Sequence, residues 1–410
     1  MGLPKNKIII AEINDALDRT LEEFAAINEE DLVDFDNESE QIRTLYDIMN
    51  NFGKWRHSTH QCMYKNCSNE TIKSHTIQKS EPLLQISENN KVVTPEYSLK
   101  KKKLEITAIN IKNASVFPGF CIEHERIFDK LEISKDLQNL QNIQLQIYRS
   151  ISREIFSKQN MIESLEYSKQ RYLEIVNRKF ERKLVSKLPS YVKIDKSIEL
   201  KSTKYSRKTY IEDELTREMN NNKFILNNIL LPFRDKISKD IKKNKVQNIY
   251  ITVTNIDIHI PCCLSGIITL SPKKNLNIFM IANVLHYQDQ VYIILASYVK
   301  YKKWMDLYTD RFHANPFYML SEIENWMIYH SDHWFLKPSV WDELSNSNKE
   351  KIIEQVDSNN QYSGKDLLIF IDLRKDMIKI AEEESKNNIS PLLKSILDKE
   401  KTKMELFLNE

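Results

Sequence analysis

Apolar residues fall at helical spacing over residues 12–50. Leu17, Leu21, Phe24 and Ala25, then Ile42, Leu45 and Ile48, mark one face of helices whose other face is acidic. From Ile122 to Leu188 there is neither proline nor glycine, and Pro118-Gly119 and Pro189 bracket the stretch. Within it Leu137, Leu140, Ile143, Ile147, Ile151, Ile155, Ile162, Leu165, Ile175, Val176, Phe180 and Leu184 keep close to the helical repeat. The pattern predicts one long helix or a helical hairpin with coiled-coil-like packing. A further helix is expected over 212–244. The texture then turns to strands: IYITVTNIDIHI, LSGIITL, NLNIFMIANVLHY and VYIILASYV are β-branched runs parted by Pro, Asn and Gln-Asp-Gln turns. Helices are expected at about 301–312 and 316–330, then the aromatic-rich HWFLKPSVWDEL, then helices to the end. The chain reads as α+β, with an acidic helical segment 1–54, a Cys- and His-bearing segment 55–132, a long and partly basic helical region 133–245, and a C-terminal α+β domain 246–410 with antiparallel strands.

Length narrows this little: 410 residues allow two or three domains. Glycine narrows it more. There are five, no two of them close together. Without a glycine loop there is no dinucleotide fingerprint, no phosphate loop of an NTPase or kinase, and no nucleophile elbow. No apolar run approaches the eighteen or so residues of a membrane span, and the first residues lack a secretory pattern, so a cytoplasmic location is expected. In a reducing compartment the five cysteines are ligands or core residues rather than disulfides.

The net charge of +2 hides an asymmetry. Residues 1–50 hold four Lys/Arg against thirteen Asp/Glu, and residues 169–208 hold thirteen against four. Each is either a solvated face or, for the second, a surface for a polyanion that the acidic head shields. Arg171, Arg178, Lys179, Arg182 and Lys183 are the candidate contacts to a nucleic-acid backbone, with Tyr172 and Phe180 turned to the core. The same helix could equally pair with a second copy or another protein.

The chemistry concentrates in HQCMYKNCSNETIKSHTIQKS and NASVFPGFCIEHERIFDKL. Cys62-x4-Cys67 and Cys121-x2-His124 are two close pairs of soft ligands, and four such donors suit tetrahedral Zn²⁺. With four protein ligands the site is closed and structural. The alternative is inert buried cysteine. His57 and His60 stand just upstream, and either could replace His124.

The order of these residues resembles a treble clef: a knuckle pair, a β-hairpin, then a pair on a helix. More narrowly, residues 57–130 resemble the zinc-stabilised variety of the HNH endonuclease family. Ser74-His75-Thr76-Ile77 matches the family's strand-end His motif, Cys121-Ile122-Glu123-His124-Glu125 and Ile127-Phe128-Asp129 match its helix, and Asn113 stands near its middle Asn. The resemblance implies that His75 deprotonates an attacking water, that Glu125 holds a catalytic Mg²⁺ or Mn²⁺, and that the protein cuts DNA or RNA, in the setting of bacterial genome defence. The chain departs from the pattern in four places. Glu125 replaces a metal-binding His, Gln78 stands where Pro is usual, Asn113 lies eight residues before Cys121, and fifty-three residues part Cys67 from Cys121. The rival expectation is a treble clef that grips nucleic acid or a protein without cutting, in which His75 braces the knuckle.

Cys262-Cys263 point to opposite faces of a strand and read as packed small hydrophobes. His330, Asp332 and His333 beside Trp326 and Trp334 read as polar groups within an aromatic core or partner surface.

Overall fold

The computed structural model describes residues 5–26, 38–98, 101, 103–191, 210–357, 367–384 and 390–409. In chain order, helices α1 (Lys5–Ala26) and α2 (Glu38–His57) precede strands β1 (Lys73–His75), β2 (Lys91–Ser98), β3 (Lys103–Asn110) and β4 (Val116–Pro118). Helices α3 (Ile122–Glu125), α4 (Leu140–Lys187), α5 (Tyr210–Ile225) and α6 (Leu231–Lys243) follow. Then come β5 (Ile249–Ile256), β6 (Cys262–Lys273), β7 (Leu276–Tyr287), β8 (Gln290–Tyr298), α7 (Lys302–Ala314), α8 (Pro316–Asn325) and β9 (Trp334–Leu336). Further helices, among them Asn346–Asp357, Ile371–Glu384 and Pro391–Asn409, complete the chain. It divides into two compact units: Met1–Arg56 with Lys158–Leu226, and His57–Ser157 with Asn227–Glu410.

The first unit is helical. Ala16, Phe24, Phe180 and Leu184 are buried together, with Leu17, Leu21, Val176 and Leu188 against them. Phe24 and Phe180 meet edge to face at 5.2 Å. Ile42 is instead exposed, and the side chains of Ala25 and Leu45 lie outside the described residues.

The second unit is built on an antiparallel seven-stranded sheet of order β3-β2-β9-β6-β7-β8-β5. Its core holds the β-branched and aromatic residues of β6, β7 and β8 with Trp326, Trp334 and Trp341. The three-residue strand β9 is the stitch. It pairs Phe335 with Cys263 on one side and Leu336 with Val93 on the other. Thr94 Oγ1 adds a bond to the Trp334 carbonyl at 2.8 Å. Thus the strands at 91–110 and those after 246, expected in separate segments, share one sheet. The apolar Val92 and Val93 are buried, and Val93 pairs with Leu336 of β9.

Helix α4 runs as one piece of 48 residues, not a hairpin. From Asn142 to Phe156 it is buried on every face, although many of those residues are polar. A helix can be enclosed in this way only if its polar groups find partners. Gln146 Nε2 donates to the Thr76 carbonyl at 3.1 Å and to Asn283 Oδ1 at 3.2 Å. Ser150 Oγ donates to the same Asn283 oxygen at 2.7 Å and receives Ser265 Oγ at 2.9 Å. Asn283, in the middle of β7, therefore seats α4 on the sheet, and Gln146 carries that seat to the strand beside the cysteines. Among the described residues no helix is long and apolar enough to cross a membrane.

Replacing Asn283 by Ala strips the acceptor from two buried donors. A loss of about 2–4 kcal/mol is expected in denaturant unfolding, against about 0.5 kcal/mol or less for the exposed Asn255→Ala. Equal stabilities for the two variants would remove Asn283 from this role.

Candidate metal centre

The first cysteine pair sits in a tight knuckle. Cys67 N–H returns to the Tyr64 carbonyl at 3.1 Å, and Asn66 takes the left-handed conformation (φ 63°) that Asn tolerates. The knuckle is fixed from outside. Met63 N–H bonds the Gly119 carbonyl at 2.9 Å, and Ile72 N–H bonds that of Phe120 at 2.7 Å. From α6, Arg234 reaches the Met63 carbonyl at 3.4 Å, and Asp235 pairs with Lys65 at 2.6 Å. Strands β1 and β4 then run antiparallel, Lys73 opposite Pro118 and His75 opposite Val116. Cys121 N-caps α3, and the first turn of that helix sets His124 on the same side as its sulfur. A Cβ on Gly119 would fall 2.6 Å from the Phe117 ring, so glycine is what lets the chain bend into the site here.

These elements bring four donors together. His124 Nδ1 is 3.2 Å from Cys121 Sγ and 3.6 Å from Cys62 Sγ, and Cys67 Sγ is 3.9 Å from Cys121 Sγ. All four ligand atoms lie within 4.8 Å of one another. Around a tetrahedral ion with sulfur at about 2.3 Å and nitrogen at about 2.0 Å, neighbouring donors stand about 3.5–3.8 Å apart. The cluster fits a metal ion such as zinc. His124 is the fourth donor; His60 instead contacts Ser58 and the Phe156 ring.

Without an ion, the sulfurs of Cys62 and Cys121 are pulled in opposite directions. Burial pushes the Cys62 thiol up to about 12. Burial opposes ionisation of Cys121 too, but the His124 backbone N–H, its ring and Cys62 outweigh it and bring that thiol down to about 6. A bound divalent cation would deprotonate coordinating thiols outright. Outer partners are already placed: Cys121 N–H points at Cys62 Sγ from 3.3 Å, and Asn69 Nδ2 stands 4.0 Å from Cys121 Sγ. Tyr64 stacks on His124 at 3.9 Å, fixing the ring plane. Tyr64 and Asn69 carry no ligand chemistry of their own, so their parts become visible only in three dimensions.

Of the catalytic candidates, His75 and Glu125 both neighbour Arg149. His75 Nε2 is buried with no hydrogen-bond partner. Burial, then the charges of Lys79 and Arg149, hold its imidazole below the usual range. Glu125 accepts a 2.6 Å bond from Ser74 Oγ and faces Arg149 Nη2 at 3.4 Å. Burial raises its carboxyl despite that arginine. Arg149 is itself fully buried, paired with Glu132 at 2.7 Å and lying 4.1 Å over the Phe128 ring. Asn113 is exposed in the turn after β3. Among the described residues, the Cys62, Cys67, Cys121 and His124 cluster is the one group of three or more such side chains placed to hold an ion.

The other candidates have ordinary partners. In the helical unit Arg171 bonds Asp47 at 2.9 Å and Glu174 at 2.6 Å, and Lys183 lies 3.7 Å from Glu23, which Lys187 also meets at 2.6 Å. Arg178, Lys179 and Arg182 are engaged as well. Tyr172 and Phe180 are buried. Asp47 and Glu23 of the acidic head thus meet Arg171, Lys183 and Lys187 of α4. Of the four consecutive lysines at 100–103, Lys101 pairs with Glu105 at 2.7 Å, while Lys100 and Lys102 lie outside the described residues. Cys262 and Cys263 are fully buried, and burial raises both thiols. His333 Nε2 meets Ser115 Oγ at 3.0 Å, and Asp332 pairs with Arg153 at 3.0 Å. Comparison with family models, curated proteins and solved structures returns no match.

Purified protein is expected to carry one zinc per chain by elemental analysis. Cys67→Ser and Cys121→Ser should lose it, while Cys262→Ala should keep it. An ion held only by the folded chain adds its binding free energy to stability, so chelation should lower Tm measurably. Full zinc content in Cys121→Ser would refute the ligand set.

Proposed function

We propose that this chain is a zinc-stapled, treble-clef protein that binds nucleic acid and does not cut it at the zinc site. The carrying observation is the closed donor set of three sulfurs and one imidazole within 4.8 Å, which leaves no coordination position for a substrate. The class of partner comes from the resemblance of residues 57–130 to the HNH endonucleases. The manner of action comes from the neighbours of the zinc. A general base must reach the water that it deprotonates, and His75 Nε2 is sealed from solvent. A carboxylate that serves a hard cation must be free to turn to it, and Glu125 is held by Ser74 and Arg149. On this reading His75 packs under the knuckle, and Arg149 ties Glu125 and Glu132 beneath it.

The test pairs a cleavage assay with a binding assay. No nicking of DNA or RNA above background is expected with Mg²⁺ or Mn²⁺, and His75→Ala should behave as wild type. Binding should weaken steeply with salt, as phosphate contacts require. Metal-dependent cleavage abolished by His75→Ala would establish the endonuclease instead, and binding indifferent to salt would dismiss nucleic acid as the partner.

A further inference from the structure

We infer that one end of the seven-stranded sheet binds single-stranded nucleic acid, with lysines on the phosphates and aromatic rings under the bases. The inference deepens the nucleic-acid reading above and rests on it. The sheet's antiparallel order decides which residues meet. β6 ends at Lys273 where β7 begins, and Ile249 at the start of β5 lies opposite Tyr298 at the end of β8. All four termini therefore share one rim, from which the chain runs through Lys300, Tyr301, Lys302, Lys303 and Trp304 into α7.

On this rim lysines meet rings on both faces of the sheet. Tyr298, opposite Ile249, faces Phe233 and Lys236. Tyr250, one residue on from Ile249, faces Asp306 on the other side, and Lys300 stands at the turn between them. Lys236 Nζ lies 4.4 Å over the Tyr298 ring, and Lys300 Nζ lies 4.7 Å over Tyr301 and 5.9 Å from Tyr298. Lys302 covers Tyr250 at 4.5 Å, and Lys273 covers Trp304 at 5.2 Å. The four rings are half-buried and the four lysines are exposed. The faces of these rings are thus capped by long ammonium-bearing chains, a cover that a phosphate can draw aside. Asp306 answers Lys302 at 2.5 Å. Among the described residues no ion pair engages Lys236, Lys273, Lys300 or Lys303.

That separates this rim from the basic stretch of α4, where Arg171, Lys183 and Lys187 are met by carboxylates of the same chain. Unpaired lysines attract a polyanion in general. Rings beneath them add a preference for unstacked bases, because each base offers a π face that duplex pairing hides. An acidic polypeptide would use the lysines and leave the rings idle, so single-stranded nucleic acid is the better fit.

Fluorescence anisotropy of the full chain with labelled oligothymidylate tests this, with a duplex of equal length and polyglutamate as competitors. Zinc content and thermal melting check that each variant folds. Wild type should prefer the single strand. The exposed double variant Lys300→Glu, Lys303→Glu should weaken binding tenfold or more, with a salt slope shallower by about 0.7 for each phosphate no longer neutralised. Tyr301→Leu keeps apolar bulk and charge and removes the π face; it should cost about tenfold with the slope unchanged. Wild-type affinity in both variants would overturn the assignment of this surface while leaving nucleic-acid binding intact. Tight competition by polyglutamate, with Tyr301→Leu neutral, would also overturn it and point to an acidic protein. If wild type binds no nucleic acid, the functional reading fails and this inference with it.

Discussion

Four donors from two distant stretches of chain meet at one point, and much of the second unit depends on that meeting. The knuckle at Cys62–Cys67 and the helix start at Cys121–His124 lie at the two ends of a long insertion. Holding them together sets β1 beside β4, so the chain leaves and re-enters at one place. Between those points it is free to extend the hairpin β2–β3, which becomes an edge of the large sheet. The long spacing between the ligand pairs, odd for a small zinc module, is thereby explained. The insertion is what joins the Cys/His cluster to the core.

Local spacing made much of this legible. The ligand pairs declare themselves by separation and residue type. The runs around Ile251, Ile268, Ile281 and Ile294 declare strands by their β-branched content. What could not be read was pairing across distance. Nothing near Val93 announces Leu336 as its partner, and a strand as short as Trp334–Leu336 carries no period. The segment boundaries suffered for that reason. The long helix was visible as a helix, but its enclosure was not. Ile143, Ile147, Ile151 and Ile155 form the expected stripe, while Gln146, Arg149 and Ser150 on other faces look solvent-facing until their partners arrive from Thr76 just after β1, from α3 and from β7.

The candidate catalytic residues lie among buried groups beside the cluster. His75 and Glu125 occupy positions at which a nuclease motif places chemistry; His75 Nε2 is buried, and Glu125 meets Ser74 and Arg149. A buried guanidinium needs carboxylates, and Arg149 takes Glu125 and Glu132 for that purpose. The same logic applies to charge in the helical unit. The acidic head and the basic helix read either as solvated faces or as a polyanion surface shielded by the head, and Asp47 and Glu23 meet Arg171 and Lys187.

The enclosed part of α4 has a consequence for the order of assembly. Its polar side chains find their partners at Thr76, some seventy residues earlier, and at Ser265 and Asn283, more than a hundred residues later. Such contacts close only after large loops have been drawn in, which slows the folding of any chain. During synthesis the helix can form as soon as it leaves the ribosome, yet it must wait, half-dressed, for β6 and β7 to be translated. A nascent chain halted before residue 283 would display that unfinished face to whatever quality-control machinery patrols it.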